Sequence, residues 1–161
     1  MLSTILPPLL FAALVASNEL SIYNFCGPTI YAWHQGSQVK PLPKVDNGSD
    51  ITTKLDPDPI TGGRNIILSY DSNGINNDAP TIQLSYQAVG TEGLYELWYA
   101  LQTRNGNMVK GRSVDMGLSG SPKCARLEWR DGKGDSGVKV CRKFKFADLR
   151  LCTEGMGKGR V

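Results

Sequence analysis

The chain has 161 residues, 18 Lys/Arg, 15 Asp/Glu, one histidine and a net charge of +3. That length sustains one hydrophobic core and leaves little for a second domain. A single histidine and four cysteines without a CxxC pair argue against a cysteine/histidine zinc site, and against a serine or cysteine nucleophile served by an imidazole. Charge is unevenly spread: residues 1–100 hold 4 Lys/Arg and 9 Asp/Glu, residues 101–161 hold 14 and 6. Such a split can steer anionic partners, yet RKFK (Arg142 to Lys145) reads as a solvated strand end, and no nucleic-acid partner is expected.

In chain order, MLSTILPPLLFAALVAS lacks any charged side chain and ends in the small residues Ala16 and Ser17. Residues 1–17 therefore read as a secretory signal cut near Ser17, too short and too proline-broken to span a bilayer. The four cysteines, Cys26, Cys124, Cys141 and Cys152, all follow it, an even number that suits two disulfides outside the cell and allows three pairings. Asn47-Gly48-Ser49 is a glycosylation sequon.

From residue 18 onward apolar residues recur with a period of two, the signature of strands. LSIYNF, TIYAW, RNIILSY, TIQLSYQ, ARLEW, GVKVC and ADLRLC carry it, separated by the turn-rich segments GSDI, SNGINND, GTEG, RNGN, SGSPK and RDGKGDSG. LYELWYAL (Leu94 to Leu101) fits a short helix or a strand, and is read as a strand with one aromatic face. Because alternation sends neighbouring residues to opposite faces, Trp98 and Tyr99 cannot both enter one core. Many short strands predict an all-β, antiparallel sandwich or barrel over 18–152. The tail 153–161, TEGMGKGRV, has too little apolar content to pack and is expected to be disordered.

DPDPITGG (Asp56 to Gly63) combines acids, prolines and glycines in eight positions. Each Asp-Pro step holds its aspartate extended and Gly62-Gly63 permits a reversal, so turn chemistry accounts for the loop without a metal or an acid/base pair.

Taken in order, YNFC, IYAW, DPITGG, IQLSY, LWYAL, GVKVC and LRLC resemble the small secreted fungal proteins of the blastomyces yeast-phase-specific protein family, relatives of the thaumatin-like proteins. The resemblance spans almost the whole chain after the signal. It implies a thaumatin-like β-sandwich in which Cys26 pairs with Cys152 and Cys124 with Cys141. Relatives commonly carry an aspartate where this chain has Ala100, and NGDPF where it has NGNMV.

Candidate chemistry is sparse. Glycoside hydrolysis needs two facing carboxyl groups, and the supply is Asp56, Asp58, Asp71, Asp78, Glu92 and Glu96. Glu96 lies among Tyr95, Leu97, Trp98 and Tyr99, where a sugar ring could stack. We expect no catalytic residue, no cofactor and no metal, and a glycan- or partner-binding surface drawn from Trp33, Glu96, Trp98 and Tyr99. The expected function is a secreted, monomeric, non-enzymatic effector or wall-binding protein, with cell-wall polysaccharide or a host protein as partner. A weak glucan hydrolase and an antimicrobial protein are the alternatives.

Overall fold

The computed structural model describes residues 18–90, 96–119, 124–130, 133–134 and 137–154. Among them the chain forms β1 (Glu19–Asn24), β2 (Tyr31–Gln35), β3 (Val39–Pro41), β4 (Asp50–Lys54), β5 (Gly63–Ser69), β6 (Thr81–Val89), β7 (Glu96–Arg104), β8 (Val114–Ser119), β9 (Leu127–Arg130), β10 (Lys133–Gly134), β11 (Lys139–Arg142) and β12 (Phe146–Leu151), and no helix. One sheet has the order β10-β9-β8-β12-β1-β4 and the other β11-β7-β6-β5-β2-β3. The fold is an all-β sandwich.

Alternation builds the core. Along β6, Ile82, Leu84, Tyr86 and Ala88 are buried, while Gln83, Ser85 and Gln87 point away from the core. Leu20 and Ile22 of β1 and Ala147, Leu149 and Leu151 of β12 supply the facing layer. Each buried Leu or Ile contributes roughly 1.5–3 kcal/mol of transfer free energy, so slipping any of these strands by one residue would expose its whole apolar set.

β1 and β12 pair in parallel, from Glu19↔Phe146 to Asn24↔Leu151. The first and last strands are thus neighbours in the middle of one sheet. A disulfide between Cys26 and Cys152 fastens them just beyond the ladder, and Asn24 fills the space beside it. The buried Asn24 amide donates to the carbonyls of Pro28 and Val45, both at 2.8 Å, and accepts from the Cys26 N–H at 2.9 Å. A second disulfide, Cys124 to Cys141, ties the segment before β9 to β11, linking the two sheets.

Several elements differ from the sequence expectation. LYELWYAL is a strand where described, but β7 begins at Glu96 and runs on to Arg104, because nine residues pair with β6. GSDI is not all turn: Asp50 opens β4, whose DITTK has one apolar residue and is held by pairing with β1. β3, β8 and β10 also went unanticipated: VKP is exposed and β10 has only two residues, whereas β8 does carry the alternation, with Val114 and Met116 buried and Asp115 and Gly117 between and after them, and was overlooked. The tail is attached at its start. Glu154 pairs with Arg112 at 2.7 Å and accepts from the Ser113 N–H at 2.8 Å, so Thr153 and Glu154 continue the fold. Residues 1–17 and 155–161 lie outside the described residues.

Candidate functional site

The DPDPITGG loop is organised by one carboxylate. Asp58 is buried, and Oδ1 accepts from the N–H groups of Ile60 (3.0 Å) and Thr61 (2.8 Å) and from Thr61 Oγ1 (3.1 Å). Oδ2 accepts from the Ser37 N–H (2.8 Å) and Ser37 Oγ (2.9 Å), binding the loop to the β2–β3 turn. Gly62, at φ 75°, closes the reversal with its N–H on the Asp58 carbonyl. These donors, the Thr61 and Ser37 N–H groups foremost, hold the Asp58 carboxyl well below the usual carboxylate range. Gly36 packs so closely on this carboxylate that a Cβ there would overlap Oδ2. Gly36→Ala is expected to cost about 1–3 kcal/mol, read as a lower urea midpoint at unchanged slope.

Next to this knot, His34 and Tyr86 share a 2.6 Å hydrogen bond, and Tyr86 Oη donates to the Asp56 carbonyl at 3.2 Å. The proton on the shorter link therefore belongs to His34 Nε2. Burial, then the Arg64 guanidinium, lowers the imidazole below its ordinary 6.5, so His34 is neutral at pH 7. Burial, aided by Asp56, pushes the Tyr86 phenol above its usual range. Arg64 stands 3.7 Å from Asp56 and 4.0 Å from Asp58. Asp58, His34 and Tyr86 thus have structural partners, while the buried Arg64 Nε has none within hydrogen-bond distance among the described residues.

The accessible chemistry lies on the outer face of the second sheet. Across β5, β6, β7 and β11 the register places Gly63, Gln87, Trp98 and Val140 in one row, and Asn65, Ser85 and Ala100 in the next. Small side chains at Gly63, Ser85 and Ala100 leave a trough of about 360 Å³, bordered by Asn65, Gln87, Trp98 and Val138. Trp98 is 45 % exposed and Val138 64 %. The indole is oriented: Nε1 donates to Glu96 Oε1 at 2.9 Å, and Glu96 Oε2 accepts from Arg142 Nε at 2.8 Å. Along the floor, Ser85 Oγ accepts from Gln102 Nε2 at 2.7 Å and from Gln83 Nε2 at 3.2 Å.

Of the residues singled out from sequence, Trp98 and Glu96 meet at this trough. Trp33 and Tyr99 do not present their rings. The pleat turns Tyr99 inward, where it is 1 % exposed and its hydroxyl donates to the Ala125 carbonyl. Trp33 is on the outer face but 7 % exposed, flanked in register by Pro41 and Ile67. Asn65, Ser85, Gln87, Ala100 and Val138 were missed; the signal for three of them was the uncharged outward set of TIQLSYQ and its neighbour strand. Ala100, where the resemblance leads one to expect aspartate, forms part of the floor. Exposed Asn47 keeps the sequon on the surface, its Oδ1 accepting from the Gly27 N–H at 3.1 Å.

Apart from Asp56 and Asp58, which flank Arg64, the described acids are dispersed. Asp71 accepts from the Asn73 N–H (2.8 Å) and Asn77 Nδ2 (2.9 Å) within its own loop, and Asp78 accepts from Asn105 Nδ2 at 3.4 Å. Glu92 lies outside the described residues. Among the described residues no three His, Cys, Asp or Glu side chains gather as a metal site.

The Blastomyces yeast-phase-specific protein family profile matches residues 9–153. The chain belongs to this family. No curated protein sequence matches this family member. Two solved structures share its fold. The protein elicitor MoHrip2 from Magnaporthe oryzae aligns with a TM-score of 0.66 and 15 % identity, over 84 % of this chain and 99 % of that one. The thaumatin-like xylanase inhibitor TLXI aligns with a TM-score of 0.52 and 16 % identity, over 82 % and 96 %. This member of the family is thus a thaumatin-like β-sandwich with two disulfides.

Proposed function

We propose that the chain is a small secreted, non-enzymatic fungal recognition protein that acts as a monomer at the cell wall or on a host surface, as an effector or wall binder. The observation that carries this reading is Trp98, half-exposed and held in one orientation by Glu96 and Arg142 beside a trough lined mainly by uncharged residues. A partly exposed aromatic ring offers an apolar face for contact, and a fixed ring loses little entropy on contact. Secretion is supported by the leader-like residues 1–17 and by two disulfides, which persist in oxidising surroundings. Two proteins of the same fold are named a protein elicitor and a xylanase inhibitor, and neither name states a catalytic activity. Glu96, bonded to Trp98, has both oxygens occupied by donors that orient the indole.

The test is to incubate the oxidised protein with insoluble chitin, cellulose and β-1,3-glucan, and to measure pelleted protein and released sugar. Retention without release is the expected outcome. Sugar release that vanishes in Glu96→Gln would make the protein a hydrolase instead. No retention on any polymer would move the partner from the wall to a host protein.

A further inference from the structure

The two outer faces of the sandwich differ in chemistry, and the difference narrows the class of ligand. Outside the first sheet, charge is plentiful and paired: Arg126 with Asp115 and Glu128, Arg130 with Glu128, and Arg150 with Asp148. This is a solvated face that neutralises itself. The trough on the second sheet is built differently. Apart from Arg64, its lining carries no charged side chain: two amides, a hydroxyl, the indole, the apolar Ala100 and Val138, and the strand positions of Gly63, Tyr86 and Tyr99. Arg64, the charged member of its lining, is engaged by Asp56 and Asp58, and the pair beside Trp98 is closed between Glu96 and Arg142.

The Asn65 and Gln87 amides have no side-chain hydrogen-bond partner among the described residues, while Gln83 and Gln102 both donate to Ser85 Oγ, leaving their own carbonyl oxygens and the Ser85 proton available. Donors and acceptors therefore recur along neighbouring strands about 4.8 Å apart. A partner that satisfies them needs many groups that both donate and accept, no net charge, and a flat apolar face for the indole. A pyranose ring has all three, its hydroxyls at the rim and its C–H groups on the face. We propose that the trough binds an extended, uncharged glycan, with one sugar ring stacked on Trp98 and its hydroxyls read by Asn65, Gln87 and Ser85. Glu96 and Arg142 are positioning residues, acting only through the orientation of the indole. The proposal rests on the recognition surface assigned above and names its ligand class.

The experiment titrates the intact, disulfide-bonded protein with cellohexaose, laminarihexaose, xylohexaose and chitohexaose, and with polygalacturonate as the charged control, by calorimetry at low and high salt. At least one neutral hexasaccharide should bind with an affinity that salt leaves nearly unchanged. Trp98→Ala should weaken it at least about tenfold, Trp98→Phe much less, and the Asn65→Ala/Gln87→Ala pair measurably. Thermal melts of the variants should match the parent, since these side chains lie outside the core. Binding of no neutral hexasaccharide, binding indifferent to Trp98→Ala, or salt-sensitive binding to polygalacturonate alone would each overturn the proposal. Retention on insoluble chitin, cellulose or β-1,3-glucan that Trp98→Ala abolishes, with no neutral hexasaccharide bound, would keep the recognition surface and overturn the single extended chain in favour of an ordered polymer surface. Retention that Trp98→Ala leaves intact would remove both.

Discussion

Replacing Cys26 and Cys152 together by alanine should lower the free energy of unfolding by about 5 kcal/mol, because the bridge closes a separation of 126 residues. The denatured chain loses far more freedom to this closure than to that of Cys124 and Cys141, separated by 17, where the same relation gives about 3 kcal/mol. Urea unfolding of the two double variants beside the parent checks the order. The topology makes the first loss consequential: β1 and β12 are a parallel pair from opposite ends of the sequence, so their contact carries a large closure entropy of its own. With the bridge absent, β1 should lose amide protection before the β5-β6-β7 meander, which hydrogen exchange would show. Equal losses in both variants would contradict the closure account.

Asp58→Ala should lower the thermal midpoint by roughly ten degrees or more, since five donors from two loops lose one acceptor. Asp58→Asn separates shape from charge. The amide is nearly isosteric, yet its nitrogen cannot accept, so one side of the knot must open. Asp58→Asn should recover only part of the loss. The pH dependence has a definite sign. The folded carboxyl titrates below its ordinary value of 3.8, so its stabilisation is full above about pH 4. It declines as pH falls, because the unfolded state takes up the proton first, and it vanishes only below the depressed folded value. The stability gap between parent and Asp58→Asn should thus be constant near neutrality and shrink below about pH 4. A gap that stays constant down to strongly acidic pH would show that the loop is held by packing alone.

Much of the architecture was legible in the chain because a half-buried strand writes its faces into the sequence. Leu20 and Ile22, Ile82 and Leu84, Leu149 and Leu151 alternate with polar residues, and all of them are buried. The same rule required Trp98 and Tyr99 to part, and Trp98 is the exposed member. Strands without such a pattern stayed hidden: β4 has the polar run DITTK, and its conformation comes from its register against β1. The loop DPDPITGG read correctly as turn chemistry, but its central part, the buried Asp58 receiving donors from Ser37, spans 21 residues of sequence.

By itself, then, the sequence determined strand identity, the inward and outward sets of the main strands, and the turn character of the acidic loop, because each depends on residues within a few positions of one another. Tertiary structure decided everything that depends on distance across the sheet. Four cysteines allowed three pairings until the parallel β1–β12 contact brought Cys26 to Cys152. Trp33 and Trp98 were equal candidates until pairing put one between Pro41 and Ile67 and left the other above a trough. In the sequence Gln87, Ser85 and Asn65 are marked only as uncharged outward residues and Ala100 carries no such mark, so none stands out as a site. They become one only when hydrogen-bonded strands set them side by side on a face that apolar burial has turned outward.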